Sequence, residues 1–372
     1  MTSAPTRPVP SSPTPAATSP IAAATAAEEA TEAAEAAGVP PAMVLRELVF
    51  GAACAGAVRA AASLGLADAL DEQPATAEEL ASRLGVEAGP LERLLRALVC
   101  YQVFDRAADG RYRHTPLSRL LRAEEPGSLR DIALWCTEPW TWQSWSRLDD
   151  AVRTGRSVFA DAFGKEFFQY LHDDAPQSAA LFNRAMTQSS RQSAQDLADF
   201  LDLAGIATAA DIGGGQGQAL AALMERHPAL HGTLLDLPKV VEHADPRLLP
   251  GGALAERARL VPGDCRVAIP VQADLYLVKN ILEWDDESTR RTLRNLRQVA
   301  RPGARVVIVE NLVDDSPSMR FTTAMDLLLL LNVGGAKHTL GSLTALIEES
   351  GLLLRSVAPV NAYLHAFTCT VP

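Results

Sequence analysis

From Leu203 onward the chain repeats one pattern: a short apolar run ending in a polar residue, then a helix-length stretch. The runs are "TAADIGG", "HGTLLDL", "RARLVPGD", "ADLYLVKNIL" and "ARVVIVENLV". Strands that are apolar nearly throughout must bury both faces. Separated by helical periods, they predict an α/β fold with a doubly wound parallel sheet. In such a sheet chemistry gathers at the strand ends, and the first end here is the most specific. "AADIGGGQGQALAALMERHP" is a strand, a glycine turn and a helix, with Asp211 before Gly213, Gly214, Gly215 and Gly217. Glycine allows the tight turn and lets a ligand approach the helix N-terminus closely.

A glycine loop alone also fits dinucleotide enzymes. Two further acids narrow the choice. Asp236 in "LLDLP" ends the second strand, nineteen residues after Gly217, where a ribose diol is held; Asp264 in "VPGDC" ends the third, where an adenine amine would lie. Asp211 is placed for the ammonium of an amino-acid moiety. Acid, glycines, acid, acid on successive strands predicts S-adenosylmethionine as the cofactor.

Upstream, residues 1–40 are Pro/Ser/Thr/Ala-rich and offer too little to bury, so a disordered tail is expected there. Residues 41–125 begin with apolar helical spacing from Met43 and a break at Gly65. A helix capped by Thr76 with Glu79 follows, then a second helix from about Pro90 and two strand-like runs around a turn at 108–110. That order is a winged-helix pattern. Arg93 and Arg96 on its second helix alternate with Glu87, Glu92 and leucines spaced for burial, and Met43–Leu70 is too apolar to stand exposed. A homodimerisation module is therefore expected rather than a DNA reader, and the net charge of −11 points the same way. Residues 126–200 read as an aromatic-rich helical linker or lid, and 201–372 as the cofactor domain. No apolar run is long enough to span a membrane, and no membrane partner is expected. Five scattered cysteines, Cys54, Cys100, Cys136, Cys265 and Cys369, are expected as free thiols in a cytoplasmic protein.

The phrases "FGKEFFQYL", "FNRAM", "DIGGGQG", "LLDLP", "PGD", "EWDDE", "RPGARVVIVE" and "GGAKHT" together resemble the dimeric, caffeate-type small-molecule O-methyltransferases and their bacterial polyketide-tailoring relatives, from about Met43 to the C-terminus. The resemblance implies a Rossmann-like S-adenosylmethionine methyltransferase domain behind a winged-helix dimerisation domain, acting on a small-molecule secondary metabolite. It adds Leu237, Cys265 and Lys279 to the cofactor residues. It places Trp142, Phe182, Met186, Asn280, Met325 and Asn332 on the substrate wall, between the 142–190 helices and residues 321–338.

The chain departs from the family at the catalytic centre. The resemblance implies a histidine before Asp-Trp as general base, and a glutamate in Gly-Gly-Lys-Glu-Arg-Thr to orient it. Here Leu282 is followed directly by Glu283 and Trp284, and the second motif reads Gly334-Gly335-Ala336-Lys337-His338-Thr339. Glu283 serves as a base if the shortened loop aims it inward. Lys337 stabilises an oxyanion, holds a substrate carboxylate, or points into water. Glu283 and His338 offer a carboxylate and an imidazole suited to iron or zinc, but two ligands without a visible third, so no metal is assigned. Ionising a phenol of pKa near ~10 at neutral pH costs about 4 kcal/mol, whereas in-line positioning alone supplies about 7–11 kcal/mol. The expected reaction is O-methylation driven by positioning. The alternatives are cofactor-retaining hydroxylation, decarboxylation or cyclisation, and metal-assisted C-methylation of a 2-oxo acid.

Overall fold

The computed structural model describes residues 40–125 and 127–372, and the expected tail at 1–39 lies outside them. The chain divides into two compact units, Met1–Val49 and Phe50–Pro372. In the first, Pro41–Val49 is a helix that starts on a proline, whose fixed φ suits the first helical position. The boundaries read at 125/126 and 200/201 both fall inside the second unit.

The second unit opens with the helices Gly51–Leu64 and Leu66–Leu70, divided by Gly65 at φ 68°, the left-handed region a glycine reaches without penalty. Ala77–Leu84 carries the expected capping box: Glu79 N–H donates to Thr76 Oγ1, and Thr76 N–H donates to Glu79. Ala88–Cys100 follows, starting two residues before the expected Pro90. Strands β1 (Phe104–Arg106) and β2 (Tyr112–His114) pair antiparallel across the 108–110 turn, with Phe104 opposite His114. Leu66, Leu80, Leu95, Leu98, Phe104 and Tyr112 close one core around this winged-helix arrangement.

Between the hairpin and the sheet the chain is helical, as read. Its aromatic residues pack mostly edge-on: Trp140 with Phe159 and Phe167, and Trp135 with Phe182. The long helix Pro176–Phe200 runs from this cluster to the sheet.

The sheet holds β3 (Thr208–Ile212), β4 (His231–Asp236), β5 (Ala258–Pro262), β6 (Leu275–Lys279), β7 (Arg305–Glu310), β8 (Leu353–Pro359) and β9 (His365–Thr370) in the order β5-β4-β3-β6-β7-β9-β8. β3 to β7 are parallel; β9 runs antiparallel to β7, and β8 antiparallel to β9. The parallel sheet is thus as read, and the closing antiparallel pair is an addition. Both faces are covered. Ala210, Ile212, Leu235, Tyr276, Val278 and Ile308 enter one core, while Ala209, Leu234, Leu275, Leu277 and Val307 enter the other. The chain lays β3, β4 and β5 outward in one direction, then returns to place β6 on the other side of β3. A reversal of this kind leaves a crevice at the strand C-termini, and Asp211 and Lys279 stand on the two strands that flank it.

The Thr76 cap makes a measurable contribution. Thr76→Ala should destabilise the N-terminal helices by about 1 kcal/mol, seen as faster amide exchange across Ala77–Leu84 with the sheet unaffected.

Candidate active site

Above the crevice lies a cavity of about 250 Å³. Its floor is the glycine loop with Asp211, Asp236, Leu237, Asp264, Cys265 and Lys279. Gly213, Gly215 and Gly217 take φ of 64°, 61° and 83°, values that favour glycine. Gly214 is required for a different reason: a Cβ there would overlap the Asp211 carboxyl and Leu234.

Asp211 is 1 % exposed and neither carboxylate oxygen has a hydrogen-bond partner; the Leu220 N–H faces it from outside bonding geometry. Burial pushes its pKa up to about 7, opposed by the Lys279 ammonium and reinforced by Asp236. An orphaned buried carboxylate on a cavity floor, ringed by glycine backbone, fits the ammonium of an amino-acid moiety. Asp236 accepts the Gly215 and Leu237 N–H groups, both at 2.7 Å, and burial raises its pKa to about 6 despite them. Burial also works against the Asp264 charge, but the Arg266 guanidinium at 2.8 Å and the Arg266 N–H outweigh it and hold the carboxyl below its ordinary range. Arg266 in turn lies 5.3 Å over the Trp284 ring. The three strand-end acids therefore converge on one cavity as expected. Trp284, from the "EWDDE" phrase, and Arg266, which no sequence signal marked out, join them.

The far wall comes from the lid: Phe168, His172, Phe182, Asn183, Met186 and Thr187. Thr187 Oγ1 donates to Gln216 Oε1 at 2.6 Å, tying the long helix to the glycine loop. Of the residues expected on the substrate wall, Phe182, Met186 and Asn280 line the cavity. Asn280 sits at φ 52°. Trp142, Met325 and Asn332 do not line it. The Trp142 indole donates to the Thr137 carbonyl, Met325 packs into the aromatic cluster, and Asn332 is buried with Oδ1 unpaired.

The catalytic candidates form a separate knot beside this cavity. Lys337 Nζ donates to Glu283 Oε1, with the two side chains only 9 % and 13 % exposed. Lys337 therefore does not point into water. His338 Nε2 lies 2.6 Å from the Leu282 carbonyl, so this ring nitrogen is engaged with backbone. Among the described residues no three His, Cys, Asp or Glu side chains gather as a metal site would require. The sequence reading missed Glu310, the last residue of β7. It is 1 % exposed and accepts the Leu282 N–H at 3.1 Å. Burial and the Glu283 charge push its carboxyl well above the usual range, opposed by the Lys337 ammonium, and its second oxygen has no hydrogen-bond partner. The signal was present in "RVVIVE", an acid closing a strand with no other polar interior residue. The loop after β6 is thus clasped on both sides, with Glu310 on the Leu282 N–H and His338 and Thr289 on its carbonyl. Gly335 packs so closely that a Cβ would overlap the Glu283 carbonyl.

Comparison with known proteins agrees with this geometry. Residues 145–353 match the model of an O-methyltransferase domain, and residues 46–124 that of an O-methyltransferase dimerisation domain. The chain is 39 % identical to the mitomycin biosynthesis 6-O-methyltransferase of Streptomyces lavendulae, over 86 % of this chain and 91 % of that protein. A solved mitomycin 7-O-methyltransferase superposes with a TM-score of 0.81 at 37 % identity, covering 92 % of this chain and all of that one. An O-methyltransferase of neocarzinostatin biosynthesis, solved with S-adenosylmethionine and 2-hydroxy-5-methyl naphthoic acid, gives 0.73 at 30 % identity over 86 % and 96 %.

Two outcomes follow from the charges. An ammonium pairs with ionised Asp211, whose pKa stands near 7 in the free pocket. Affinity for S-adenosylmethionine should therefore fall as pH drops from about 8 to about 5.5. Binding near pH 6–7 should release protons, read by calorimetry in buffers of different ionisation heat. Second, Lys337→Met leaves a buried carboxylate unpaired and should destabilise by about 3–5 kcal/mol. The double variant Glu283→Leu/Lys337→Met should recover most of that in thermal unfolding.

Proposed function

The chain belongs to the O-methyltransferase family, and we propose that it methylates an already acidic hydroxyl of a small secondary metabolite by positioning rather than by proton abstraction. It is an S-adenosylmethionine-dependent methyltransferase. The relatives compared above are all methyltransferases, which favours methyl transfer over the cofactor-retaining alternatives. Bound on the cavity floor, S-adenosylmethionine supplies an electrophilic methyl on a sulfonium. Asp211, the glycine loop, Asp236 with Leu237, Asp264 with Cys265, and Lys279 are the residues that would hold it.

One observation carries the mechanistic reading: Glu283, the acid that directly follows Leu282, is locked to Lys337 and does not line the cavity. Glu310 is buried against the Leu282 N–H with its carboxyl raised well above the usual range, and His338 faces the Leu282 carbonyl. None of the four positions stands ready to receive a proton from an acceptor. A hydroxyl that ionises by itself near neutral pH, such as an enol or a quinone-conjugated phenol, needs no such receiver. Its oxygen needs only to be held in line by the lid wall of Phe182, Met186 and Asn280.

The test is a pH–rate series over acceptors of graded acidity. kcat/KM should rise with pH to a plateau whose midpoint follows each acceptor's own pKa. Glu283→Gln should cost less than roughly tenfold, below the 10²–10⁴ of a general base. A midpoint common to all acceptors, moved by Glu283→Gln, would identify Glu283 as the base and end this reading.

We further propose a homodimer through the N-terminal domain. The dimerisation-domain match and the exposed Met43, Leu45, Leu48, Val49 and Phe50 support it. Light scattering should give twice the 39.7 kDa chain mass, and Leu45→Glu/Leu48→Glu should shift it toward one.

A further inference from the structure

The helix Phe167–Asp173 has two unlike faces. Phe167 and Leu171 are buried in the aromatic cluster, while Phe168 and His172, one turn apart, line the cavity. At its C-terminal end the His172 carbonyl accepts Lys239 Nζ at 2.8 Å, and Asp173 Oδ1 lies 3.4 Å from the same ammonium. Lys239 stands three residues after Asp236, in the turn Pro238–Val241 whose Val240 also lines the cavity. One side chain therefore joins the lid to the floor directly beside the acid placed for the ribose. Among the described residues, the hydrogen bonds between this helix and the sheet region are those of Lys239. A cation at a helix C-terminus is favoured by the unpaired carbonyls there. At the other end, Glu166 adds a favourable charge toward Arg266 on the cavity's opposite rim. Burial and the Lys239 charge keep the His172 imidazole below its ordinary pKa, hence neutral and free to pack on a nucleoside.

We propose that Phe168 and His172 form a hinged roof over the nucleoside end of the cofactor, with Lys239 as the latch that holds it shut. The inference rests on the cofactor assignment and adds to it residues that neither the glycine loop nor the strand-end acids supply. A cofactor enclosed between this wall and the floor leaves only when the helix lifts. The contact that must break is half-exposed, with side chains 54 % and 42 % accessible. Its strength is therefore that of a surface ion pair, small and salt-sensitive.

The test is release of S-adenosylhomocysteine from the full chain, followed by stopped-flow tryptophan fluorescence, since Trp284 lines the cavity. Lys239→Met should raise the off-rate roughly three- to fivefold and the on-rate with it. The wild-type off-rate should climb between about 0.05 and 0.5 M salt, while the variant's stays flat. Asp173→Ala, from the other side of the contact, should act more weakly because the His172 carbonyl remains. Arg184→Met removes a surface ion pair between the long helix and Asp131, away from the latch, and should leave release unchanged. His172→Ala should weaken equilibrium binding several-fold. Equal off-rates for wild type and Lys239→Met at both salt concentrations would overturn the latch. Failure of the wild type to bind S-adenosylhomocysteine would instead overturn the cofactor assignment beneath it.

Discussion

A carboxylate without a partner, buried at the one point where the sheet reverses its direction of growth, is the constraint on which the rest of this molecule turns. Asp211 stands on β3 with leucines around it and no hydrogen bond to offset its desolvation. Isolated charges are not kept in such places unless something else compensates. Here the neighbouring Lys279 ammonium compensates in part, across the strand pair that flanks the crevice. The remainder is left for a cationic ligand. Such a floor suits a zwitterionic, positively charged cofactor.

The catalytic knot follows a different logic. The loop after β6 is tied by side chains that hold its backbone. Glu310 takes the Leu282 N–H, while Thr289 and His338 take the carbonyl. With the peptide fixed, Glu283 has one direction to face, and Lys337 meets it there. Two buried opposite charges that satisfy each other are poor acid–base reagents, because changing the protonation of either leaves the other stranded. On the proposed reading, the electrostatics that stabilise the knot are what remove it from proton transfer and leave the chemistry to geometry and the acceptor's own acidity.

How much of this was legible in the sequence depended on the range of the interactions involved. The parallel strands, the Thr76 capping box, the hairpin at 108–110 and the three strand-end acids are local patterns, and each appears where the residues placed it. The pair β8 and β9 was not read, because its residues mix polar and apolar and its pairing depends on β7. The partnership of Glu283 with Lys337 spans 54 positions. No spacing rule connects them; the packing of Gly335 against the Glu283 carbonyl and of His338 against the Leu282 carbonyl brings them together. Glu310 was overlooked for the opposite reason: it sits in a strand whose apolar neighbours made it look like a boundary residue. Lys239 gave no signal at all, being an ordinary surface lysine until the fold sets a helix end above it.

The clasp around Leu282 also bears on how such a chain could change. Exchanging Glu283 for histidine would leave the Leu282 N–H on Glu310 and the Leu282 carbonyl on His338 and Thr289. Lys337 would then face an imidazole instead of a carboxylate, so it too would have to be exchanged. No single step on that route leaves the knot intact. The clasp and the cavity wall of Phe182, Met186 and Asn280 are separate sets of residues, so an exchange in that wall leaves the hydrogen bonds around Leu282 in place.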